Sequence, residues 1–203
     1  WEQALASKLG EVIVACCENQ VYECIKSLGG EAILTDPELP SGTDRVYQAL
    51  AEYDIDQYDS IINLQGDMPM INPNDIGKVN LPLIQGFDMG SLVTDLKKDE
   101  LEDKNITKAR VSWIKKNIIG HAKSFTRSPE MQKDFFYHHV GIYSFKYKTL
   151  KKFVSLPQSK NEINNKLEQF RAIDANMSIG VSYIKDVPIS VDTKEDLIKI
   201  EKI

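Results

Sequence analysis

The sequence has few cysteines and no long apolar run. Cysteine occurs three times, at Cys16, Cys17 and Cys24. This odd, clustered set is neither a disulfide framework nor the paired spacing of a zinc site, so we expect free thiols and a cytoplasmic protein. The sequence contains no secretory signal pattern and no stretch long enough to span a bilayer, so no membrane partner is expected.

Basic residues are also fewer than acidic residues. There are 25 Lys and Arg against 30 Asp and Glu, which gives a formal net charge of -5. Binding to nucleic acid depends on clustered Lys and Arg, so we expect no nucleic-acid partner. An acidic chain can still bind a nucleotide if it recruits a divalent cation. The length of 203 residues suits a single α/β domain over 1–203.

The sequence does not begin with methionine. Residue 1 is Trp, and Trp1, Ala4, Leu5 and Leu9 recur at helical spacing. This pattern predicts that the chain opens inside an amphipathic helix and that a segment upstream is absent.

Short Val- and Ile-rich runs alternate with amphipathic segments over the first third of the chain. We predict strands at 11–17, 31–35 and 59–65, and helices at 21–28 and 44–53. This alternation favours an α/β fold with a doubly wound, mostly parallel sheet and right-handed crossovers.

The strand–helix alternation then loosens. Two β-like runs flank Lys116-Asn117, which predicts an antiparallel hairpin. Residues of about 97–160 therefore form, in this interpretation, an inserted antiparallel lobe that binds a sugar or mediates dimerisation.

Asp67 directly follows a predicted buried strand, in the run NLQGDMP at 63–69. Open α/β sheets bind ligands at the carboxyl ends of their strands, and Gly66 permits a tight turn or a close approach to a ligand. A carboxylate at this position can hold Mg²⁺ through oxygen, or it can simply close a turn. The pattern leaves both interpretations open.

The run SGTDR at 41–45 stands at a predicted loop-to-helix junction. Backbone amides at a helix N-terminus favour an anion or a polar ligand edge, but the same sequence also makes an ordinary helix cap. Arg45 either reaches a ligand or pairs with Asp44 on the surface.

Asp192 precedes the last predicted helix. It either caps that helix or reaches back towards Asp67, and two converging carboxylates make a plausible metal site for nucleotidyl transfer.

A more dispersed group of polar residues lies in the second half of the chain. Arg127 suits bidentate recognition of a carboxylate. His139, Glu168 and Gln169 offer donors and acceptors for hydroxyl groups, while Tyr143 can equally be core packing. Glu168 and Arg171 can also form an ordinary surface pair at i,i+3.

Taken together and in order, these segments resemble the CMP-KDO synthetases, which are 3-deoxy-manno-octulosonate cytidylyltransferases. The resemblance covers nearly the whole chain and rests on SGTDR, QGDMP, HHVGIYSF, LEQFR and VDTKEDL. The motifs are specific as a set, although none is specific alone. The CMP-sialic acid synthetases are related but match the later motifs less well.

The resemblance implies a nucleotide-diphospho-sugar transferase fold of Rossmann-like type, in a homodimer. It implies that CTP and KDO react to give CMP-KDO and pyrophosphate for lipopolysaccharide biosynthesis, with Asp67 and Asp192 as the catalytic Mg²⁺ ligands. The implied cytidine-side residues are Ser41, Gly42, Thr43, Arg45 and Gln65. The implied KDO-side residues are Arg127, His139, Tyr143, Glu168 and Gln169.

The sequence departs from the family pattern in four places. The family's N-terminal strand and phosphate-wrapping loop are absent. Cys17 and Met68 stand where the family usually has carboxylates, and Ile189-Ser190 replaces a segment that usually contains Gly. Two other functions stay open: a cytidylyltransferase for another acid sugar (8-amino-KDO or a sialic acid), and a non-catalytic module that binds sugar nucleotides.

Overall fold

The structure is a computed structural model that describes residues 1–128, 135–191 and 193–202. The chain opens with a short helix and a β–α–β unit; its elements are α1 Glu2–Ser7, β1 Ile13–Cys16, α2 Asn19–Ser27 and β2 Glu31–Leu34. Strands β1 and β2 pair in parallel. Gly29 follows α2 with a φ of 78°, a left-handed conformation that suits glycine and ends the helix. The predicted strand–helix–strand order is confirmed here.

The other strands form one six-stranded sheet, in the order β3-β7-β4-β8-β6-β5. They are β3 Ile61–Asn63, β4 Met89–Asp95, β5 Lys108–Lys115, β6 Ile119–Thr126, β7 Phe136–Phe145 and β8 Ile179–Tyr183. Strand β5 also pairs with the beginning of β7. Strands β7, β4, β8, β6 and β5 therefore close into a hydrogen-bonded ring.

The predicted predominance of parallel pairing is wrong. Among the described residues, only β1–β2 and β4–β8 pair in parallel. The remaining pairings, β3–β7, β4–β7, β5–β6, β5–β7 and β6–β8, are antiparallel. The reason is that β7 returns between β3 and β4, and that the β5–β6 hairpin lies beside β8. The fold is a mixed α/β fold.

The predicted hairpin around Lys116 and Asn117 is confirmed by the antiparallel pairing of β5 with β6. Asn117 has a φ of 54°, which places it in the left-handed region that tight hairpin turns require. Residues 97–160 also contain β7, which lies within the sheet between β3 and β4. A sugar-binding or dimerisation role for this region stays a prediction.

The helices are short, and several are interrupted. They are α3 Gly42–Ala49, α4 Pro73–Ile76, α5 Leu81–Ile84, α6 Tyr147–Ser155, α7 Lys160–Asn165, α8 Gln169–Asp174 and α9 Lys194–Ile200. Lys166 adopts a left-handed φ of 52° between α7 and α8, which separates these two helices. Thr193 caps α9, because its Oγ1 accepts a hydrogen bond from the backbone N–H of Asp196 at 3.2 Å.

Apolar side chains pack on both faces of the six-stranded sheet. Successive strand residues point to opposite faces, so the neighbours Leu92 and Val93 of β4 belong to different core clusters. Val93 and Tyr143 share the face covered by α6 and α8, whereas Leu92 and Ile142 share the other. Tyr143 therefore points towards the side where the polar motifs gather. Within the described ranges, no helix is long and apolar enough to cross a membrane.

Candidate active site

The end of β3 is joined to the beginning of α3 by side-chain hydrogen bonds. Asn63 is buried at the last position of β3, and its Nδ2 donates to Thr43 Oγ1 at 2.9 Å. Gln65 Nε2 in turn donates to Asn63 Oδ1 at 3.0 Å. Asn63 therefore fixes both Thr43 and Gln65, two of the predicted nucleotide-side residues, at one edge of the sheet.

The first turn of α3 is closely packed against Gln65. Ser41 caps the helix by accepting from the backbone N–H of Asp44 at 3.3 Å, and its hydroxyl donates to Asp44 Oδ2 at 2.7 Å. A Cβ on Gly42 would lie 2.6 Å from Gln65 Nε2. The absence of a side chain at Gly42 thus allows the amide of Gln65 to pack against the first turn of α3.

Arg45 points away from this turn towards the end of β2. Its Nη1 donates to Thr35 Oγ1 at 2.6 Å and to the carbonyl oxygen of Asp36 at 3.2 Å. The predicted alternative of a surface pair with Asp44 is therefore wrong, because Asp44 is buried and pairs with Arg171 instead.

Glu168 brings the segment before α8 to the same turn. Its Oε2 accepts the backbone N–H of Thr43 at 3.2 Å. Burial raises the pKa of the Glu168 carboxyl, while hydrogen bonds from Ser41 and Thr43 oppose that increase. The predicted nucleotide side and the predicted sugar side are consequently in direct contact.

Gln169 and Tyr143 extend the polar network into the core. The Tyr143 hydroxyl donates to Gln169 Oε1 at 3.0 Å. Gln169 is fully buried, and its Nε2 has no hydrogen-bond partner among the described residues. Such an orphaned donor is unusual in a folded protein and is suited to an acceptor group of a ligand.

The pKa of the Tyr143 hydroxyl depends on the charged residues around it. Burial raises its pKa well above the ordinary value, and the negative charges of Glu168 and Asp67 raise it further. The positive charge of Arg127 acts in the opposite direction. Two carboxylates and a guanidinium are therefore near enough to act on one hydroxyl, which groups three predicted site residues around Tyr143.

His139 is buried in the same part of β7. One ring nitrogen, Nε2, lies 2.8 Å from Ser91 Oγ, and the ring centroid lies 4.8 Å from that of Phe125 in an edge-on contact. Burial, together with the charge of His138, lowers the pKa of His139 to about 3. The ring is therefore neutral at physiological pH.

Arg127 lies half-buried just beyond β6. Its Nη1 donates to the carbonyl oxygens of Asn105 at 2.9 Å and Lys104 at 3.2 Å. Its own carbonyl oxygen accepts from the fully buried Lys108 Nζ at 3.0 Å. Hydrogen bonds thus fix both the side chain and the backbone of Arg127.

Asp67 is exposed in the loop that follows β3. Its carbonyl oxygen accepts the backbone N–H of Val191 at 2.8 Å. Asp192 itself lies outside the described residues, so the pairing of its carboxylate with Asp67 stays a prediction. The bond nevertheless brings the residue before Asp192 to Asp67.

The described residues contain no group of three or more His, Cys, Asp or Glu side chains arranged to hold a metal ion. Asp67 still fits Mg²⁺ chemically, because Mg²⁺ prefers oxygen ligands and is usually bound through one or two carboxylates plus substrate phosphates.

Among the residues that the structure describes, Arg171 is the largest fully buried side chain, and it lies next to the site. Burial alone would lower its pKa, but hydrogen bonds with Glu162 and Asp44 raise it above the ordinary value. The predicted surface pair of Arg171 with Glu168 is therefore wrong: Arg171 is 2% exposed, and its ion pairs are with Asp44 and Glu162.

A cleft of about 890 Å³ opens between β1 and β3. Its walls are largely apolar, and they include Gly42, Arg45 and Gln65 from the predicted nucleotide side. The cleft runs along both strands over their whole length, since residues 12–16 and 60–65 all line it.

Three residues of this site were not singled out as functional from the sequence: Asn63, Asp44 and Arg171. Asn63 could have been identified from the sequence. It is a polar residue at the end of a buried strand, and residues two positions apart on a strand, such as Asn63 and Gln65, point to the same side. Arg171 lies four residues after Leu167, on the buried side of α8. That spacing argues against an exposed position.

Comparisons with known proteins agree with this geometry. Residues 1–179 match the profile of a family described as "Cytidylyltransferase". A 3-deoxy-manno-octulosonate cytidylyltransferase from Paramagnetospirillum magneticum is 38% identical over 201 residues, which cover 97% of this chain and 82% of the relative. A solved CMP:2-keto-3-deoxy-manno-octonic acid synthetase, complexed with CTP, is 29% identical with a TM-score of 0.86, covering 100% of this chain and 84% of that one.

A more distant solved structure shares the fold alone. A UDP-glucose pyrophosphorylase complexed with UDP-glucose has a TM-score of 0.64 at 11% identity, covering 99% of this chain and 83% of that one. This places the chain in the nucleotide-diphospho-sugar transferase fold. The identity and coverage of the nearer relatives go further, and the chain belongs to the 3-deoxy-manno-octulosonate cytidylyltransferase family.

Proposed function

We infer that this protein is a CMP-KDO synthetase, which transfers CMP from CTP to KDO, releases pyrophosphate and supplies lipopolysaccharide biosynthesis. The observation that carries this inference is the hydrogen bond from the Thr43 backbone to Glu168. It joins the residues expected to contact cytidine to those expected to contact the sugar, so both substrates can bind beside one another.

On the nucleotide side, we propose that the first turn of α3 and the amide of Gln65 recognise cytidine. The proposal is supported by the way Asn63 fixes Thr43 and Gln65, because a pre-positioned set of donors and acceptors binds a base edge with little loss of side-chain entropy. Arg45, which donates to Thr35 and Asp36 at the end of β2, is the remaining charged member of the predicted cytidine side.

On the sugar side, we propose that Arg127 binds the KDO carboxylate and that Glu168 and Gln169 bind its hydroxyls. The orphaned Nε2 of Gln169 supports this assignment, since a sugar oxygen would supply its missing acceptor. His139 and Tyr143 are the remaining members of the predicted sugar set. We propose that they shape the floor beneath the sugar, because both are buried.

The proposed reaction is an in-line displacement. The anomeric oxygen of KDO forms a bond to the α-phosphorus of CTP, the bond from that phosphorus to the bridging oxygen breaks, and pyrophosphate leaves. The proton of the anomeric hydroxyl passes to solvent, and we nominate no side chain as its acceptor. Reactions of this class depend mainly on positioning and charge neutralisation.

We propose that Asp67 and Asp192 hold Mg²⁺. When bound, the ion would neutralise phosphate charge and lower the pKa of the attacking hydroxyl. The hydrogen bond between Val191 and Asp67 supports this proposal, because it fastens the segment that carries Asp192 to the loop that carries Asp67.

We further propose a cytoplasmic homodimer. Three exposed apolar side chains in the 97–160 region support a dimer contact there: Ile114 at 63%, Ile118 at 43% and Phe135 at 90% exposure. Sedimentation velocity of the protein and of an Ile114→Lys variant tests this: the variant is expected to sediment as a monomer.

A pyrophosphate-release assay with CTP, KDO and Mg²⁺ tests the function. We expect release that requires all three components. Replacing KDO by 8-amino-KDO or a sialic acid tests the acceptor, and faster release with either would reassign the sugar. Binding of CMP-KDO without turnover of any acceptor would indicate a binding module instead.

A further inference from the structure

Arg171 is a buried charged group, and all three nitrogens of its guanidinium donate hydrogen bonds to Asp44 or Glu162. It is therefore not available to a substrate, yet it lies within one turn of two residues proposed to bind the sugar, Glu168 and Gln169. A buried charge carries a large desolvation penalty, and apolar replacements are often equally stable. Stability alone therefore gives a weak reason for an arginine at this position.

Its contacts satisfy two carboxylates at once. Nη1 and Nη2 donate to the two oxygens of Asp44, both at 2.9 Å. Nε and Nη2 donate to the two oxygens of Glu162, at 2.9 and 2.6 Å. The guanidinium also stacks 4.6 Å from the centroid of the Phe153 ring. Only a planar fork can make this pair of bidentate contacts, so lysine cannot substitute for it.

The two carboxylates belong to different parts of the site. Asp44 lies in the first turn of α3, where it also accepts from the Ser41 hydroxyl. Glu162 lies in the first turn of α7, where it completes a capping box with Ser159. Arg171 itself is in α8, two residues after Gln169. It is therefore the point at which the α3 turn is fixed relative to the start of α8.

We propose that Arg171 is a positioning residue that, through Asp44, holds the first turn of α3 in register with Glu168 and Gln169. This inference rests on the proposed function, because the two surfaces it aligns are the proposed cytidine and KDO surfaces. The hydrogen bond between the Thr43 backbone and Glu168 joins the same two segments that Arg171 holds together.

Kinetics of three variants test the proposal. Arg171→Met fills the same space without charge, Asp44→Asn removes the charge of the α3 contact, and Glu162→Gln does the same for the α7 contact. At a temperature where each variant is folded, we expect Arg171→Met and Asp44→Asn to raise the KM of CTP and of KDO by about tenfold, through small misplacements of binding groups. Glu162→Gln should change either KM by less than about threefold, since the contact with Asp44 survives.

Amide hydrogen exchange supplies a readout that does not depend on activity. The Thr43 amide should exchange about tenfold faster in Arg171→Met and in Asp44→Asn than in the unaltered protein, as local opening becomes easier. Glu162→Gln should leave it nearly unchanged. If Arg171→Met does not fold, the near-isosteric Asp44→Asn variant still tests whether Arg171 acts through Asp44.

Two outcomes overturn the proposal. Michaelis constants within twofold of the unaltered protein in folded Asp44→Asn and Arg171→Met would show that Arg171 only stabilises the fold. Equal effects of Asp44→Asn and Glu162→Gln would do the same. If the unaltered protein makes no CMP-KDO, the proposed function fails, while the exchange of the Thr43 amide still reports on Arg171.

Discussion

Val191 donates its backbone N–H to the carbonyl oxygen of Asp67 at 2.8 Å. This bond joins the segment before α9 to the loop after β3, two parts of the chain that lie far apart in sequence. The geometry makes Asp67 the described residue on which the proposed metal site depends most directly.

Replacing Asp67 by Asn should reduce CMP-KDO formation by about 10²-fold or more, because the side chain keeps its shape but loses the charge that attracts Mg²⁺. The rate is measured by pyrophosphate release, with thermal unfolding to show that the fold survives. Asp99→Asn, a change at another exposed carboxylate, is the matched control and should leave the rate unaltered. Turnover near the original level in Asp67→Asn would remove this residue from the mechanism.

Two glycine substitutions should separate a local binding effect from a folding defect. In Gly42→Ala the added methyl meets the Gln65 amide, which is the end of a flexible side chain and can move. We expect little loss of stability but a severalfold higher KM for CTP. In Gly90→Ala the methyl would lie 2.1 Å from the backbone oxygen of Val79, so the free energy of unfolding should fall by roughly 1–3 kcal/mol.

Urea unfolding and steady-state kinetics of both variants check this contrast. The idea fails if Gly42→Ala is the less stable of the two, or if its KM for CTP is unchanged.

Tyr143→Phe should cost about 1 kcal/mol of stability, the typical net value of one hydrogen bond, because Gln169 Oε1 loses its donor. Gln169 would then be unsatisfied at both ends of its amide, so the KM for KDO should also rise. Tyr183→Phe is a suitable control, since Tyr183 donates to Asp95 Oδ2 at an exposed position. An unchanged KM for KDO in Tyr143→Phe would argue against a sugar site beside Gln169.

His139 should make stability depend on pH. Its pKa is about 3 in the folded protein, below the ordinary value of 6.5, chiefly because of burial. The unfolded chain therefore binds more protons between these two values, and the folded state loses stability as the pH falls through this window. The expected slope for one such group is about 1.4 kcal/mol per pH unit, with the full stability present above pH 6.5.

Urea unfolding between pH 4.5 and 7.5 measures this slope. Substituting His139 by Gln removes the titrating group, so the dependence on pH should become flatter by about that amount. Parallel profiles for the two proteins would show that His139 does not titrate in this way.

The sequence predicts the parts of the fold that depend on local pattern. The β1–α2–β2 unit follows from alternating apolar and amphipathic runs and from Gly29, and the hairpin at Asn117 follows from its turn residues. The direction of β7 does not follow in the same way. Its own residues form a strand whichever way it runs, and only its position between β3 and β4 makes the pairing antiparallel.

Recognition of the site from sequence has a similar limit. Ser41, Gly42, Thr43 and Gln65 come together because α3 begins, and β3 ends, at the same edge of the sheet. Asp44 and Arg171 look like surface charges because each has an oppositely charged or polar neighbour nearby in sequence. They pair with each other across the fold, 127 residues apart, and no local pattern encodes that distance.

The closed ring of strands has a consequence for how the protein reaches this state. Strand β8 enters the ring between β4 and β6, and its pairing with β4 aligns Met89 with Ile179. The ring therefore cannot close until residues 179–183 have left the ribosome. Refolding should therefore be governed by slow, non-local pairing, on a timescale of about milliseconds to seconds.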